Sequence, residues 1–193
     1  SVNLEKMSLN DIVDNVAKVV APELDGKGIS LDLRLATSMP NVMIDPALMK
    51  QVVLNLVKNA MQAMEGNAEK SGDSCAKEKR ITITSYIDGE YAALSVSDTG
   101  CGMTEEQMEK IFEPYFTTKS YGTGLGLTVL FKIMKELSGD VNVHSTLGVG
   151  SEFIIRVPIP KDERFRISFG SDSSGSSDYS ESYVEACNEE VQP

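Results

Sequence analysis

Apolar residues recur at helical spacing near the start of the chain. Leu9, Ile12, Val13, Val16, Val19 and Val20 mark one face, Ser8 can cap its start and Asp11 falls in its first turn, so a helix is predicted over 8–20. Gly26 and Gly28 end that unit. Residues 29–35 then alternate apolar and polar, the pattern of a strand with one buried face. Asp45-Pro46 opens a second helix, because aspartate caps well and proline suits the first helical position. Its apolar side is Leu48, Val52, Val53, Leu56, Val57, Ala60, Met61 and Met64. Residues 66–79 are small, polar and charged, and read as a loop. Strands follow over 80–87 and 92–96, joined through Asp88-Gly89, a hairpin signal. Thr104 and Gln107 stand at capping-box spacing before a short helix over 104–111. A longer helix over 128–137 ends at Gly139. Strands over 141–145 and 152–157 complete the pattern, with Gly148 and Gly150 between them and Pro158 and Pro160 closing the domain.

Two glycine clusters interrupt this periodicity. D-T-G-C-G-M (98–103) sets Asp98 beside Gly100 and Gly102 at the end of an apolar strand, and G-T-G-L-G-L (122–127) opens into a helix. Glycine permits positive φ and close approach of backbone to a ligand. A glycine-rich turn leading into a helix points N–H groups and a positive dipole end at an anion. The second cluster therefore reads as a phosphate cradle. In the first, the carboxylate can accept from an exocyclic amine such as that of adenine. Taken singly, either cluster reads equally well as turn glycines. The second helix adds a stripe of amides, Gln51, Asn55 and Asn59, four residues apart. Asparagine is a poor helix-interior residue, so the stripe is a solvated face, a buried amide network, or a place where Asn59 offers its carbonyl oxygen to Mg²⁺, a hard ion that takes oxygen ligands.

Composition narrows the partners. The 193 residues are 41% hydrophobic, enough for one good core, and carry a net charge of −11. That charge argues against nucleic acid or an anionic membrane as partner, and a bound nucleotide would have to be held by local N–H groups and a metal. No apolar run reaches the length of a membrane span, and the opening residues lack a signal-peptide pattern. Cys75, Cys101 and Cys187 are scattered without metal spacing, which suggests reduced thiols in a cytoplasmic compartment. Residues 161–193 hold eight acidic and three basic residues among many serines, a tail whose composition predicts disorder. Within it, 164–169 alternates loosely as a candidate edge strand.

The motifs in order carry a family resemblance. Q-V-V-L-N-L-V-K-N-A-M-Q-A-M (51–64) resembles the N box of sensor histidine kinases, D-T-G-C-G-M their first glycine box, F-E-P-Y-F (112–116) the F box, G-T-G-L-G-L the second glycine box, and S-T-L-G-V-G-S-E-F (145–153) the final glycine motif. The resemblance spans roughly 8–160 and implies the Bergerat fold, an α+β two-layer sandwich with a mixed sheet covered on one face by helices. It implies ATP and Mg²⁺ as cofactors, with Asp98 on the adenine amine, Asn59 on the metal and the backbone of 122–126 on the phosphates. By the same resemblance the nucleotide site takes in Asn55, Gly100, Gly102, Met103, Phe112, Phe116, Thr118, Lys119, Gly122, Thr123, Gly124, Leu125, Gly126, Leu127 and Ser151. Asn55 and Lys119 are its candidate catalytic side chains. Ser151 stands where the family often has threonine near adenine, and Gln62 where many members have a basic residue, which leaves Lys119, and secondarily Lys58, as cationic contacts.

One feature departs from the family pattern. A histidine kinase phosphorylates a histidine in a motif such as H-E-x-x-N on a two-helix dimerisation domain, and the only histidine here is His144, in a strand pattern. The expectation is a catalytic and ATP-binding domain over 8–160, preceded at 1–7 by a linker from a dimerisation domain not in this sequence. It would be monomeric as a fragment and homodimeric as a full kinase, it would hand phosphate on to a response regulator receiver, and it would be cytoplasmic, either free or as the cytosolic part of a membrane-bound sensor. Three other readings share the superfamily: an ATP hydrolase, a serine kinase of anti-sigma type and a non-catalytic nucleotide-binding module. Hydrolases of the superfamily resemble a pattern with glutamate one turn before the metal asparagine. Here that position is Asn55, which cannot accept a proton at neutral pH.

Overall fold

The computed structural model describes residues 2–65, 78–113 and 126–164. In chain order these form β1 (Glu5–Ser8), α1 (Leu9–Gly26), β2 (Ser30–Arg34), β3 (Asn41–Ile44), α2 (Pro46–Ala63), β4 (Arg80–Asp88), β5 (Tyr91–Asp98), α3 (Glu105–Lys110), α4 (Gly126–Glu136), β6 (Asp140–Thr146) and β7 (Gly150–Pro158). Five strands make one sheet in the order β2-β4-β5-β7-β6. The β2–β4 pair is parallel and the others antiparallel, so the sheet is mixed, as expected.

Strand alternation decides which face is covered. Along β7, Ser151, Phe153, Ile155 and Val157 are buried while the residues between them are half-buried. Their neighbours in register on β5 are Asp98, Val96, Leu94 and Ala92, all buried. Ile83 and Ile81 continue the row on β4. Against this face lie the helices. α2 sits centrally, packed on α1 and α4 and over β4, β5 and β7. Its Met49, Val52, Val53, Leu56, Val57, Ala60 and Met61 are buried, a stripe wide enough to serve both the sheet and the flanking helices.

α1 runs six residues beyond the predicted end at Val20, through Pro22. The apolar face carries on at Leu24, four residues after the buried Val20, and Pro22 stands on the exposed side. The helix stops where Gly28 takes φ 66, with Ile29 N–H bonded to Leu24 O and Gly28 N–H to Asp25 O, a Schellman closure. At the end of α4 the left-handed position is Ser138 (φ 57), not Gly139. Gly139 donates to Met134 O at 2.8 Å, and a Cβ there would run into Arg156 O and Met134 Cε, so close packing requires this glycine.

Two strands escape the sequence reading. β1 and β3 pair as an antiparallel ribbon, Glu5 opposite Ile44 through Ser8 opposite Asn41. Each has four residues, too few for alternation to register. β1 thus occupies residues read as the end of a linker. The start of the predicted tail is also part of the fold: 161–164 make a helical turn and Glu163 is buried. Lys6 Nζ reaches Asp162 at 2.6 Å and Glu163 at 2.8 Å, while Arg164 donates to Ile159 O and Glu90. Charge-rich composition hides such docking, because the ordering comes from paired charges rather than apolar period. Residues 66–77 of the stretch expected to be a loop, with Cys75, and everything from residue 165 on, including most of the candidate edge strand, lie outside the described residues.

Asp45 ties β1 to α2. Its carboxylate caps α2 by accepting from Ala47 and Leu48 N–H, and also accepts from Asn3 N–H at 2.8 Å. These backbone donors, Asn3 first, hold the carboxyl below its ordinary pKa. A depressed folded-state value stabilises above the unfolded pKa of about 3.9 and loses that contribution as pH falls through the folded value. Asp45→Asn keeps a good cap without a titrating group. Its melting temperature is therefore expected to fall less than that of the wild type between pH 7 and pH 3, read by circular dichroism.

Candidate functional site

The site grows from the end of β5. Asp98 is its last residue and is buried. Its Oδ1 accepts Gly100 N–H at 2.8 Å, an Asx-type turn that holds the carboxylate over the glycine turn. Thr99 fixes the turn from the other side, donating to Glu78 O at 2.7 Å and accepting Arg80 N–H at 3.0 Å.

The turn is seated on the last residues of α2. A Cβ on Gly100 would meet Ala63 at 2.7 Å, and Cys101 N–H donates to Ala63 O at 3.0 Å. That carbonyl is one of those a helix end leaves without an intrahelical partner. Asn59 and Asn55 precede Ala63 by four and eight residues, so they share its side of the helix at steps of about 6 Å. Both are half-buried. The amide stripe thus runs back along α2 from the seat of the carboxylate turn. Asn59 Nδ2 is fully enclosed and has no hydrogen-bond partner among the described residues. An enclosed amide left unpaired is costly, and the cost is removed if the side chain is held by a polar ligand.

The far wall is the β6–β7 hairpin. Gly102 has φ 67 and a Cβ there would strike Thr146 O. Gly148 N–H donates to Cys101 O at 2.7 Å. Gly150 lies so close beneath Asp98 O that no side chain fits. Ser151, buried, is the cross-strand neighbour of Asp98. Its Oγ lies 2.8 Å from Ser145 Oγ, which also accepts Met103 N–H at 2.8 Å. Ser145 went unassigned in the sequence reading, although it opens the S-T-L-G-V-G motif. Ala63 was missed as well, and its spacing of four from Asn59 was the available signal.

On the remaining side, the α3 capping box forms as predicted, Thr104 and Gln107 each bonding the other's backbone N–H. Phe112 stacks on Phe131 of α4 at 5.3 Å between ring centres, and Thr128 Oγ1 donates to Phe112 O at 3.3 Å. These contacts bind the end of α3 to α4, with Leu127 half-buried and Gly126 exposed at the start of that helix. Phe116, Thr118, Lys119, Gly122, Thr123, Gly124 and Leu125 lie outside the described residues. The structure therefore brings together Asp98, Gly100, Gly102, Met103 and Ser151, with Asn59 and then Asn55 one and two turns back along α2 from Ala63, and places Phe112, Gly126 and Leu127 at the α3–α4 junction. His144 is exposed on β6, opposite Glu152.

The family model described as histidine kinase-, DNA gyrase B-, and HSP90-like ATPase matches residues 44–161. The chain belongs to that family. It is 33% identical over 156 residues to the sensor histidine kinase ZraS of Escherichia coli (strain K12), a match covering 81% of this chain and 31% of ZraS. The chain thus spans about a third of that relative's length. Among solved structures, the catalytic domain of the histidine kinase ThkA in a nucleotide-free form superposes with TM-score 0.70 at 30% identity, covering 84% of this chain and 99% of that one. ThkA in complex with the response regulator protein TrrA gives TM-score 0.67 at 27% identity, over 84% of this chain and 44% of ThkA. The matched span of the family model takes in every described site residue from Asn55 to Ser151.

The glycine turn is a steric requirement of this family member's site. Gly102→Ala forces positive φ on a residue with a Cβ and drives that Cβ into Thr146, so it is expected to destabilise by more than about 1 kcal/mol. Gly26→Ala, where a Cβ meets nothing, is expected to be neutral or slightly stabilising. Urea denaturation of both variants checks the pair.

Proposed function

We propose that this chain is the ATP-binding catalytic domain of a two-component sensor histidine kinase, and that it transfers the γ-phosphoryl of Mg-ATP to a histidine on a dimerisation domain outside these residues. The observation that carries this reading is the buried Asp98 carboxylate, held over a glycine turn that is seated on the asparagine face of α2, in a chain of this family. A buried carboxylate can recognise the adenine amine through a charge-assisted hydrogen bond.

Asn59 fits a divalent ion. Its amide oxygen is the hard donor Mg²⁺ takes, while its enclosed Nδ2, a donor with no partner among the described residues, would be satisfied by a phosphate oxygen beside the ion. Those residues gather no group of three His, Cys, Asp or Glu side chains, so the protein would supply few ligands, leaving the rest to phosphate and water. The bound ion would neutralise phosphate charge. Lys119 and the 122–126 backbone are proposed on the phosphates.

Asn55 favours transfer to histidine over hydrolysis. Water must lose a proton to attack, and an amide accepts none at neutral pH. An acceptor imidazole brings its own nucleophilic nitrogen. We further propose a response regulator receiver as the downstream partner, a homodimeric full kinase and a cytoplasmic location. No helix among the described residues is long and apolar enough to cross a membrane.

Two measurements test the reading. Asp98→Asn is expected to weaken ADP binding by about 1.5–3 kcal/mol, the worth of a charge-assisted hydrogen bond, and titration calorimetry showing unchanged affinity removes Asp98 from the site. The wild type should transfer acid-labile phosphate from Mg-ATP to a supplied histidine-bearing two-helix domain while releasing negligible free phosphate, and Asn59→Ala should lose the transfer. Rapid phosphate release without transfer would sink the kinase reading in favour of an ATPase.

A further inference from the structure

The hydroxyl of Ser145 stands at the meeting of three contacts beside the site. It accepts Met103 N–H at 2.8 Å, lies 3.1 Å from Gly150 O and 2.8 Å from Ser151 Oγ. A serine hydroxyl has one proton and two lone pairs. Met103 N–H can only donate and Gly150 O can only accept, so those two contacts consume the Ser145 proton and one lone pair. The Ser151 contact can then be made only by Ser151 donating its own proton to the second lone pair. All three contacts are satisfied by that one arrangement, and the reverse direction forfeits the bond to Gly150.

Ser151 is thereby left without a proton to give. Its two remaining lone pairs sit beside Asp98, its neighbour in register across β5 and β7, where opposed side chains stand about 5 Å apart. The Asp98 carboxylate is likewise an acceptor, as its bond from Gly100 N–H shows. We infer that Ser145 is a positioning residue that holds Ser151 as a hydrogen-bond acceptor, so that Asp98 and Ser151 present a pair of acceptors selecting a base that bears an amino group with two hydrogens and rejecting one that bears an oxo group. This rests on the adenine-site reading above and specifies how that site discriminates. A six-oxo purine would turn its oxygen, an acceptor, toward the same two acceptors, with only its ring N1–H left to meet one of them, unless Ser151 turned round at the expense of the Ser145–Gly150 bond.

The test compares ADP with inosine diphosphate, which carries oxygen where adenine carries the amine, by calorimetry on the full 193-residue chain. Ser145→Ala frees the Ser151 proton, and the preference for ADP over inosine diphosphate is expected to shrink about tenfold, the worth of one hydrogen bond. Ser145→Thr, which keeps the hydroxyl, is expected to retain the preference. A merely structural role for Ser145 would weaken both nucleotides alike. Should Ser145→Ala fail to fold, Ser151→Ala decides the matter: it removes the acceptor, leaves the Met103–Ser145 bond in place, and is expected to weaken ADP while sparing inosine diphosphate. An unchanged preference in these alanine variants, with Asp98→Asn still losing ADP, overturns the role of Ser145 and leaves the site reading standing. Unchanged ADP affinity in Asp98→Asn takes down the site reading and this inference with it.

Discussion

The seat of the glycine turn on α2 is the constraint around which the remaining elements are arranged. Cys101 N–H closes on the Ala63 carbonyl, and Gly100 comes so near Ala63 that no side chain could intervene. A helix end that would otherwise leave a carbonyl unpaired is thereby used as an anchor. Because Ala63, Asn59 and Asn55 share one side of the helix, fixing the end of α2 also fixes how far the amides stand from the carboxylate at the end of β5. The central place of α2 over β4, β5 and β7 makes that distance a property of the core rather than of a loop.

A second layer of close approaches faces the first. Gly102 lies under Thr146, Gly150 under Asp98, and Gly148 bonds Cys101. The β6–β7 hairpin therefore grips the same turn from the side opposite α2. Backbone meets backbone at each of these points, so side-chain substitution elsewhere has little purchase on the geometry, and Gly102 and Gly150 leave no room for a side chain. Ser145 adds a side-chain link to this grip, joining Met103 N–H of the turn to Ser151 of the hairpin.

How much of this could be read from the residues depended on what sort of signal each part leaves. α2 was legible almost to the residue because its cap, its proline and its apolar stripe agree. The α3 capping box and the β4–β5 hairpin were legible for the same reason, since local chemistry dictates them. The β1–β3 ribbon was not, for four-residue strands hold too few alternations. The docking of 161–164 was hidden because Lys6 and Glu163 lie more than a hundred residues apart and their pairing has no local trace. In the site, motif order gave the carboxylate, the amides and the turn glycines. It could not give Ser145, whose meaning comes from three partners on two other segments.

The clasp between Lys6 on β1 and Asp162 and Glu163 has a mechanical consequence. It brings the chain's path into the domain and its path out of it to adjoining points on one side of the molecule. A pull applied upstream of Glu5 or downstream of Arg164 loads the same small ribbon, and through Asp45, which ties Asn3 to the first turn of α2, that load reaches the helix on which the glycine turn is seated. The two ends of the described domain are thus clasped at one place.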